Sequence, residues 1–312
     1  TKSTSFPSAS SMELHICSIT SEWSLSPLFI PSPFVYNVVM ELDFYKIHLN
    51  GHDFILVNGF RQPLPGEDRM GAVIRRMCNR GMGVGARGAV LLYPGEEHQG
   101  RVVYYDGSGE EAPVPLDALL CTSRYAFDFG LADRGTTVLE NRGDALSVQC
   151  LDGIHFRHSL EVPGTVTGEP ILKADDADLS VRVRVGSRSL SCTPLRFRTT
   201  LIAIYADPRV FSENTVIDGL AGELEIEEEQ YSAVGYQVYT RDELTIFFRD
   251  PGEGDAVEGA AAAASAAVIG GFCDRDVVVH YRGGRFLYAC NETDGRVFIT
   301  GTPLYVFTGN YE

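Results

Sequence analysis

The sequence lacks the closely spaced cysteines and histidines on which metal sites and disulfide frameworks depend. Its seven cysteines are scattered singly and form no C-x-x-C pair. An odd number of unpaired cysteines is typical of reduced thiols in a cytosolic protein, so we expect a cytoplasmic location. Zinc requires clustered thiolate or imidazole ligands, and no such cluster is visible in the sequence. We therefore predict no metal site.

Positive charge and long apolar runs are also scarce. The chain has 26 lysines and arginines against 42 aspartates and glutamates, a net charge of −16. A general nucleic-acid surface needs a basic stripe, so we expect no nucleic-acid partner. No apolar run reaches the roughly 18 residues that cross a bilayer, so we expect no membrane partner. The 312 residues, 44% of them hydrophobic, are enough for two globular domains.

The first 39 residues differ from the rest of the chain because they lack periodicity. They are rich in serine and proline and carry no compact apolar stretch followed by a small-residue cleavage site. We predict that residues 1–39 form a poorly ordered extension and that the folded domain begins at Met40.

From Met40 onward, strands and helices follow one another in an order that occurs twice. The first half runs from strand to helix, strand pair, helix and a β-meander, and the second half repeats this order with the alanine-rich helix EGAAAAASAAVIGGF. We predict an N-terminal lobe at residues 40–160, a C-terminal lobe at 161–302, and a last strand near 303–312 that packs on the first lobe. Two similar lobes facing each other create a cleft.

One glycine-rich stretch imitates a nucleotide-binding motif. Residues 83–88, GVGARG, match G-x-G-x-x-G by letters. A dinucleotide fingerprint follows a strand and opens a helix, since the pyrophosphate rests on the helix N-terminus. Here a predicted helix precedes the stretch and a strand follows it, which argues against nucleotide binding.

Several ordered motifs resemble those of the diaminopimelate epimerase family. The opening strand F-x-K-M-H-G-x-G-N-D-F is matched by Phe44, Lys46, Ile47, His48, Gly51, His52, Asp53 and Phe54. A second motif is matched by Asn79, Arg80, Gly83, Val84, Gly85, Arg87 and Gly88. The C-terminal motifs are matched by Asp274, Arg275, Val277, Val279, Gly283, Gly284, Val297, Ile299, Thr300, Gly301, Val306, Phe307 and Gly309. The resemblance runs from about Met40 to the C-terminus.

The resemblance implies an α+β fold of two pseudo-symmetric lobes, each a curled, mostly antiparallel sheet around a central helix. It also implies racemisation of an amino-acid α-carbon without a cofactor. In that chemistry one thiolate removes the α-proton while a thiol on the opposite face returns one. Each cysteine lies at a helix N-terminus, which lowers its pKa, and a homodimer is compatible with the family.

The chain departs from the family pattern at the catalytic positions. The first cysteine position falls on Pro115, within a residue or two, and the second falls on Gly259. The asparagine of G-N-D-F is His52, and the aspartate of the glycine loop is Arg87. The E-R pair before the second loop corresponds to residues 250–251, which are Asp and Pro. Diaminopimelate itself is therefore doubtful as the ligand.

Three carboxylates lie in the two loops where the cysteines belong, namely Asp117, Asp255 and Glu258. They could act as general acids or bases if a cleft raises their pKa. They could equally be helix-capping acids, which the macrodipole favours in the first turn.

Small residues at the second helix start suggest that ligand binding could survive the loss of the cysteines. Gly259 and Ala260 would leave that helix N-terminus open to an anion, and Arg87 and Arg198 would strengthen the site if they face the cleft. With His52, these residues form the predicted ligand-binding set.

Three functional hypotheses remain open. The first is a protein of this fold that has lost the two-cysteine reaction and binds a small amino-acid-like or carboxylate ligand, or a partner. The second is a cofactor-independent isomerase that uses carboxylates as acid and base. The third is a true diaminopimelate epimerase of lysine and peptidoglycan precursor synthesis. The sequence leaves open whether the protein is an enzyme.

Overall fold

The structure is a computed structural model that describes residues 41–132, 135–161, 163–164, 180–185, 188–211, 231–248, 254–291 and 293–312. The predicted N-terminal extension lies outside these ranges. So do the acidic run at residues 223–229, which the sequence suggests is a solvated helix face, and residues 250–251.

The described residues up to Val185 form eight strands and two helices, together with one two-residue strand. They are β1 (Leu42–Leu49), β2 (His52–Asn58), α1 (Glu67–Cys78), β3 (Gly88–Tyr93), β4 (Gly100–Asp106), β5 (Glu111–Ala112), α2 (Leu116–Asp128), β6 (Thr136–Asn141), β7 (Asp144–Cys150), β8 (Phe156–Leu160) and β9 (Val181–Val185).

The described residues from Arg188 onward form eight strands and two helices. They are β10 (Arg188–Arg196), β11 (Thr200–Tyr205), α3 (Pro208–Phe211), β12 (Tyr231–Thr240), β13 (Glu243–Phe247), α4 (Ala256–Ile269), β14 (Asp276–Tyr281), β15 (Gly284–Cys290), β16 (Val297–Gly301) and β17 (Leu304–Tyr311).

The strand pairings repeat in the two halves. The pairs β1–β2, β2–β3, β3–β4, β4–β6, β6–β7 and β7–β8 alternate antiparallel, parallel, antiparallel, parallel, antiparallel and antiparallel. The series β10–β11, β11–β12, β12–β13, β13–β14, β14–β15 and β15–β16 has the same order of directions. Helices α2 and α4 occupy equivalent places, before β6 and before β14. The two lobes therefore share one topology.

One continuous sheet links the lobes. Strand β8 pairs antiparallel with β16, while β17 pairs with β1 and β9 pairs with β10. Most ladders in the described residues are antiparallel, and the sheet curls around α2 in one lobe and α4 in the other. The predicted α+β fold of two pseudo-symmetric lobes is confirmed.

Helix α4 is buried along nearly its whole length, from Ala256 to Ala267. A helix that is apolar all round belongs in a core rather than at a surface. Because alanine side chains are short, the surrounding strands can approach this helix closely. The resulting apolar cluster is continuous with that of α2, so both helix starts are held inside the protein.

Helix α1 is amphipathic and covers the outer face of the first lobe. Its buried residues Met70, Ile74 and Met77 pack against Ile55 and Leu91 of the sheet. Met70, Ile74 and Met77 follow one another at steps of four and three residues, the spacing that places side chains on one face of a helix.

Strand β10 is absent from the sequence-based prediction because proline interrupts it. Pro194 has no N–H to donate to a ladder and is tolerated where a strand is unpaired. It lies beyond Cys192, the last β10 residue that pairs with β9, while its other neighbour β11 continues to Arg196. In the part of the chain that the structure describes, no helix is long and apolar enough to cross a membrane.

Candidate functional site between the helix starts

The side chain of Asp255 joins the starts of the two central helices. It is the N-cap of α4, where its Oδ1 accepts hydrogen bonds from the backbone N–H groups of Val257 at 2.9 Å and Glu258 at 3.3 Å. Its Oδ2 accepts a short hydrogen bond from the backbone N–H of Leu116, the first residue of α2. Helix N-termini attract anions because their N–H groups are unpaired and their dipoles are positive. The side-chain carboxyl group of Asp255 thus binds N–H groups at the N-termini of both α2 and α4.

A buried imidazole–carboxylate pair lies beside this carboxylate. His52, 1% exposed, places its Nδ1 2.6 Å from Oδ2 of the fully buried Asp117 and its Nε2 2.9 Å from the hydroxyl of Tyr281. Oδ1 of Asp117 accepts from the Ala118 N–H at 2.8 Å. This network connects the first strands of lobe one to β14 of lobe two.

Arg87 reaches from the first lobe into the same network. Its Nη1 lies 3.2 Å from Oδ2 of Asp117 and 2.7 Å from Nδ1 of His52, and its Nη2 donates a short hydrogen bond to the Gly254 carbonyl. The guanidinium therefore balances the buried Asp117 charge and ties the glycine loop of lobe one to the loop before α4.

Glu258 holds the loop between β10 and β11 rather than capping α4. Its Oε1 accepts from the Arg198 backbone N–H at 3.1 Å, and its Oε2 accepts from the Thr199 hydroxyl at 2.8 Å. The Arg198 side chain donates to the Val114 carbonyl at 3.1 Å. Of the three predicted acids, Asp255 caps a helix, Asp117 pairs with His52 and Arg87, and Glu258 anchors a loop.

These acids lie close enough to affect one another. Burial, followed by the charges of Asp117 and Glu258, raises the pKa of Asp255 to about 8. The backbone donor at Leu116 and the guanidinium of Arg87 act in the opposite direction. Asp255 therefore changes its protonation near neutral pH, unlike an ordinary surface aspartate.

A pocket of about 550 Å³ opens beside His52. Its wall carries four cationic side chains and one carboxylate, namely Lys46, Arg80, Arg87, Arg282 and Asp53. Asp53 accepts from Nζ of Lys46 at 2.7 Å and from both terminal nitrogens of Arg80 at 2.6 and 3.0 Å. Burial raises the pKa of Asp53, but these hydrogen bonds and charges outweigh it and leave the pKa lowered.

His48 adds a neutral imidazole to the pocket wall. Its Nδ1 accepts a hydrogen bond from the Gly51 N–H at 3.3 Å, which places the ring proton on Nε2. Burial, with a smaller contribution from Lys46, lowers the pKa of His48 despite the opposing charge of Asp53. The ring is therefore a neutral hydrogen-bond donor at pH 7.

Known proteins resemble this chain over most of its length. No family model matches it. Diaminopimelate epimerase from Moorella thermoacetica is 24% identical over 295 residues, which cover 86% of this chain and 99% of that protein. The enzyme of that name from Pelotomaculum thermopropionicum is 28% identical over 289 residues, with the same coverage of 86% and 99%. Relatives named diaminopimelate epimerase therefore match this chain at about 24% identity over most of its length.

Solved structures share the fold at lower sequence identity. A phenazine biosynthesis protein of the PhzF family from Enterococcus faecalis has a TM-score of 0.57 at 13% identity, covering 88% of this chain and 100% of that one. A hydroxyproline epimerase from Agrobacterium vitis, with trans-4-hydroxy-L-proline bound, has a TM-score of 0.57 at 12% identity, covering 87% and 92%.

Pro115 and Gly259, which the sequence analysis expects at the family's cysteine positions, lie at the starts of α2 and α4. Pro115 is the N-cap of α2, with φ of −65°. At α4, the expectation that Gly259 and Ala260 leave the helix start open is not met. A Cβ built on Gly259 would overlap the Phe248 ring, and Ala260 is fully buried. The backbone N–H groups of Val257 and Glu258 at the start of α4 already donate to Asp255. The Asp255 side chain therefore occupies the position at which the sequence predicts an anionic ligand.

Cysteine thiols are absent from the site within the described residues. The six cysteines there are Cys78, Cys121, Cys150, Cys192, Cys273 and Cys290, and Cys17 lies outside. Cys121 is buried inside α2, and burial raises its pKa. Burial also raises the pKa of Cys78 to about 11 and that of Cys192 to about 12. A thiol with a raised pKa is a poor base or nucleophile at neutral pH.

Several residues of the site were not singled out as site residues by sequence reasoning. Lys46 and Arg80 belong to motifs that matched the epimerase family, so their presence near the cleft could have been inferred. Tyr281 and Phe248 carry no motif signal, and only the fold brings them to His52 and Gly259. Within the described ranges, no group of three acidic, histidine or cysteine side chains could hold a metal ion.

Proposed function

We propose that this protein has the diaminopimelate epimerase fold but binds a small molecule without racemising it. The observation that carries the proposal is the Asp255 carboxylate, which accepts hydrogen bonds from the starts of both central helices. A substrate carboxylate would need the same donors, as the resemblance to the family implies. An amino-acid carboxylate could reach these N–H groups only by displacing the Asp255 side chain.

The absence of suitable bases supports the same proposal. Two-base racemisation needs one proton acceptor and one donor on opposite faces of the α-carbon. The helix starts present Pro115 and Gly259 at the aligned positions, and the Phe248 ring fills the space above Gly259. The cation-lined pocket beside His52 offers a place for a ligand outside the filled region.

A second candidate function is proton transfer by His52. Its imidazole borders the pocket and is hydrogen-bonded to the buried Asp117, an arrangement that can orient a base and stabilise its protonated form. Such an enzyme would be a cofactor-independent isomerase of a small acid. It would lose activity in Asp117→Asn.

The test is hydrogen exchange at the substrate α-carbon. We expect no deuterium in LL-diaminopimelate after prolonged incubation with the protein in D₂O, measured by mass spectrometry. The Moorella thermoacetica relative serves as the positive control. Deuterium uptake would contradict the proposal. If uptake occurred with another small acid and disappeared in Asp117→Asn, the second candidate would replace the first.

A further inference from the structure

Strand β17 forms an edge of the sheet. Among the described residues it pairs only with β1, so the backbone groups on its other side face no neighbouring strand there. Such groups are a template for pairing with another chain. The ladder slips between Lys46 and Ile47, which leaves Val306 without a partner on β1. The regular part of the edge therefore runs from Phe307 to Tyr311.

The side chains of β17 are unusual for an exposed edge. Leu304, Val306 and Phe307 are each about half exposed, and the strand contains no charged residue. Proteins commonly protect an exposed edge with charged side chains. Strand β9 follows this rule, since it pairs only with β10 in the described residues and exposes Arg182 and Arg184. The β17 edge is apolar and uncharged by comparison.

The two ends of β17 have opposite charges beside them. At the C-terminal end lie the exposed acids Glu41, Asp43 and Glu312, because β1 begins where β17 ends. At the N-terminal end the exposed Arg285 lines a small pocket together with Leu304. When two such strands run antiparallel, the acidic end of each lies beside the basic end of the other. Two copies of this edge are therefore electrostatically complementary.

We propose that a second copy of the chain binds antiparallel along the outer edge of β17, around a two-fold axis. A two-fold axis presents the same surface from both subunits, so one self-complementary strand is sufficient. Two chains with a net charge of −16 repel each other at most of their surface, and the uncharged strand is where they can meet. Because Val306 also lines the pocket beside His52, the second copy lies at the rim of that pocket.

Sedimentation velocity of the full chain tests the proposal. We expect a dimer whose dissociation constant rises with added salt, because groups of opposite charge meet at the strand ends. Thr308→Asp places a charge near the middle of the strand, close to the same charge on the second copy, and should weaken the dimer at least about tenfold. Thr136→Asp, at an exposed position of β6, is the matched control and should change the dissociation constant less than about twofold.

A mixture of two variants tests the two-fold symmetry. Thr308→Lys should also weaken the dimer, because like charges again meet at the axis. An equimolar mixture of Thr308→Asp and Thr308→Lys should instead form heterodimers, since opposite charges then lie side by side. Their formation would also show that both variants are folded.

The charges at the strand ends are tested separately. Arg285→Glu should weaken the dimer, because it places an acid beside the acidic end of the second copy. Adding Glu312→Lys to Arg285→Glu should recover part of the loss, since the exchanged charges are again opposite.

Three results would overturn the proposal: a monomer at concentrations up to about 100 µM, equal effects of Thr308→Asp and Thr136→Asp, or no heterodimer in the mixture. A monomer whose melting temperature falls in Thr308→Asp but not in Thr136→Asp would show that another segment of the same chain covers the edge. That result would also overturn the binding of a second copy.

Discussion

At the scale of single residues, Asp255 combines a structural role with an unusual titration. Three backbone N–H groups bind its carboxylate, which favours the charged form, whereas burial near Asp117 and Glu258 favours the neutral form. Burial and the neighbouring charges prevail and raise the pKa to about 8. The same residue therefore keeps the cleft filled and makes stability depend on pH.

The first prediction concerns the pH dependence of unfolding. An unfolded aspartate titrates near 3.9, so between pH 4 and 8 the folded protein holds a proton on Asp255 that the unfolded chain has lost. Stability from this group is present below about pH 4 and is lost as pH rises to 8, by at most about 1.4 kcal/mol per pH unit. Asp255→Asn, which cannot titrate, should gain stability relative to the native protein from pH 5 to 9 in urea unfolding.

The control for this prediction is Asp68→Asn. Asp68 is an exposed residue in the first turn of α1, and its replacement should leave the pH profile unchanged. Parallel profiles of the native protein and Asp255→Asn would mean that the pKa of Asp255 is not raised in the folded protein.

At the scale of secondary-structure elements, the start of α4 is specified by the contact between Gly259 and Phe248. Replacing a helical glycine by alanine usually stabilises a helix by about 1 kcal/mol. Here the added Cβ would overlap the Phe248 ring, which also packs edge-on against Tyr281 at a centroid distance of 5.6 Å. Steric overlap, not helix propensity, should decide the result.

We predict that Gly259→Ala destabilises the protein by about 1–3 kcal/mol, the usual cost of overpacking. Equilibrium urea denaturation measures the change. Gly81→Ala is a suitable control because the nearest atom to its Cβ is Asn79 Oδ1 at 3.5 Å, an ordinary contact. Adding Phe248→Leu to Gly259→Ala should restore part of the loss. A stabilising Gly259→Ala would contradict the described packing.

At the scale of the whole molecule, the lobes share a core as well as a sheet. Strand β8 of the first lobe pairs with β16 of the second, and one apolar cluster contains residues of both α2 and α4. Ile299 of β16 is fully buried in that cluster and lies opposite His158 in the ladder. The lobes are therefore expected to unfold together.

Ile299→Ala should lower the free energy of unfolding by about 2–5 kcal/mol. Amide hydrogen exchange should report the same loss of protection in α2 and α4, because the residue supports both lobes. Val306→Ala, at a position that is 54% exposed, should have little effect on either helix. Loss of protection confined to α4 would show that the lobes are independent.

The sequence by itself indicated most of the helices and strands, their repetition in the two halves, and the absence of cysteine at the starts of α2 and α4. These features are local, since apolar periodicity and short motifs involve residues near each other in the chain. Strand β10 was not predicted, because a proline inside a segment argues against a strand. The strand is recognised only from its pairing with β11 in the folded protein. The site residues Asp117, Asp255, Arg87 and His52 were named from motif positions. Helix capping, one of the roles left open for the acids, is what Asp255 does, but the partners of the other three were not predicted.

Only the tertiary structure decided what those residues do. Asp255 is hydrogen-bonded to Leu116, which is 139 positions away in the sequence, and His52 is hydrogen-bonded to Tyr281, which is 229 positions away. No local sequence pattern predicts either contact, because both depend on the curled sheet that brings distant parts of the chain together. Whether a buried acid caps a helix, anchors a loop or pairs with an imidazole depends on which donors surround it, and folding alone brings those donors together.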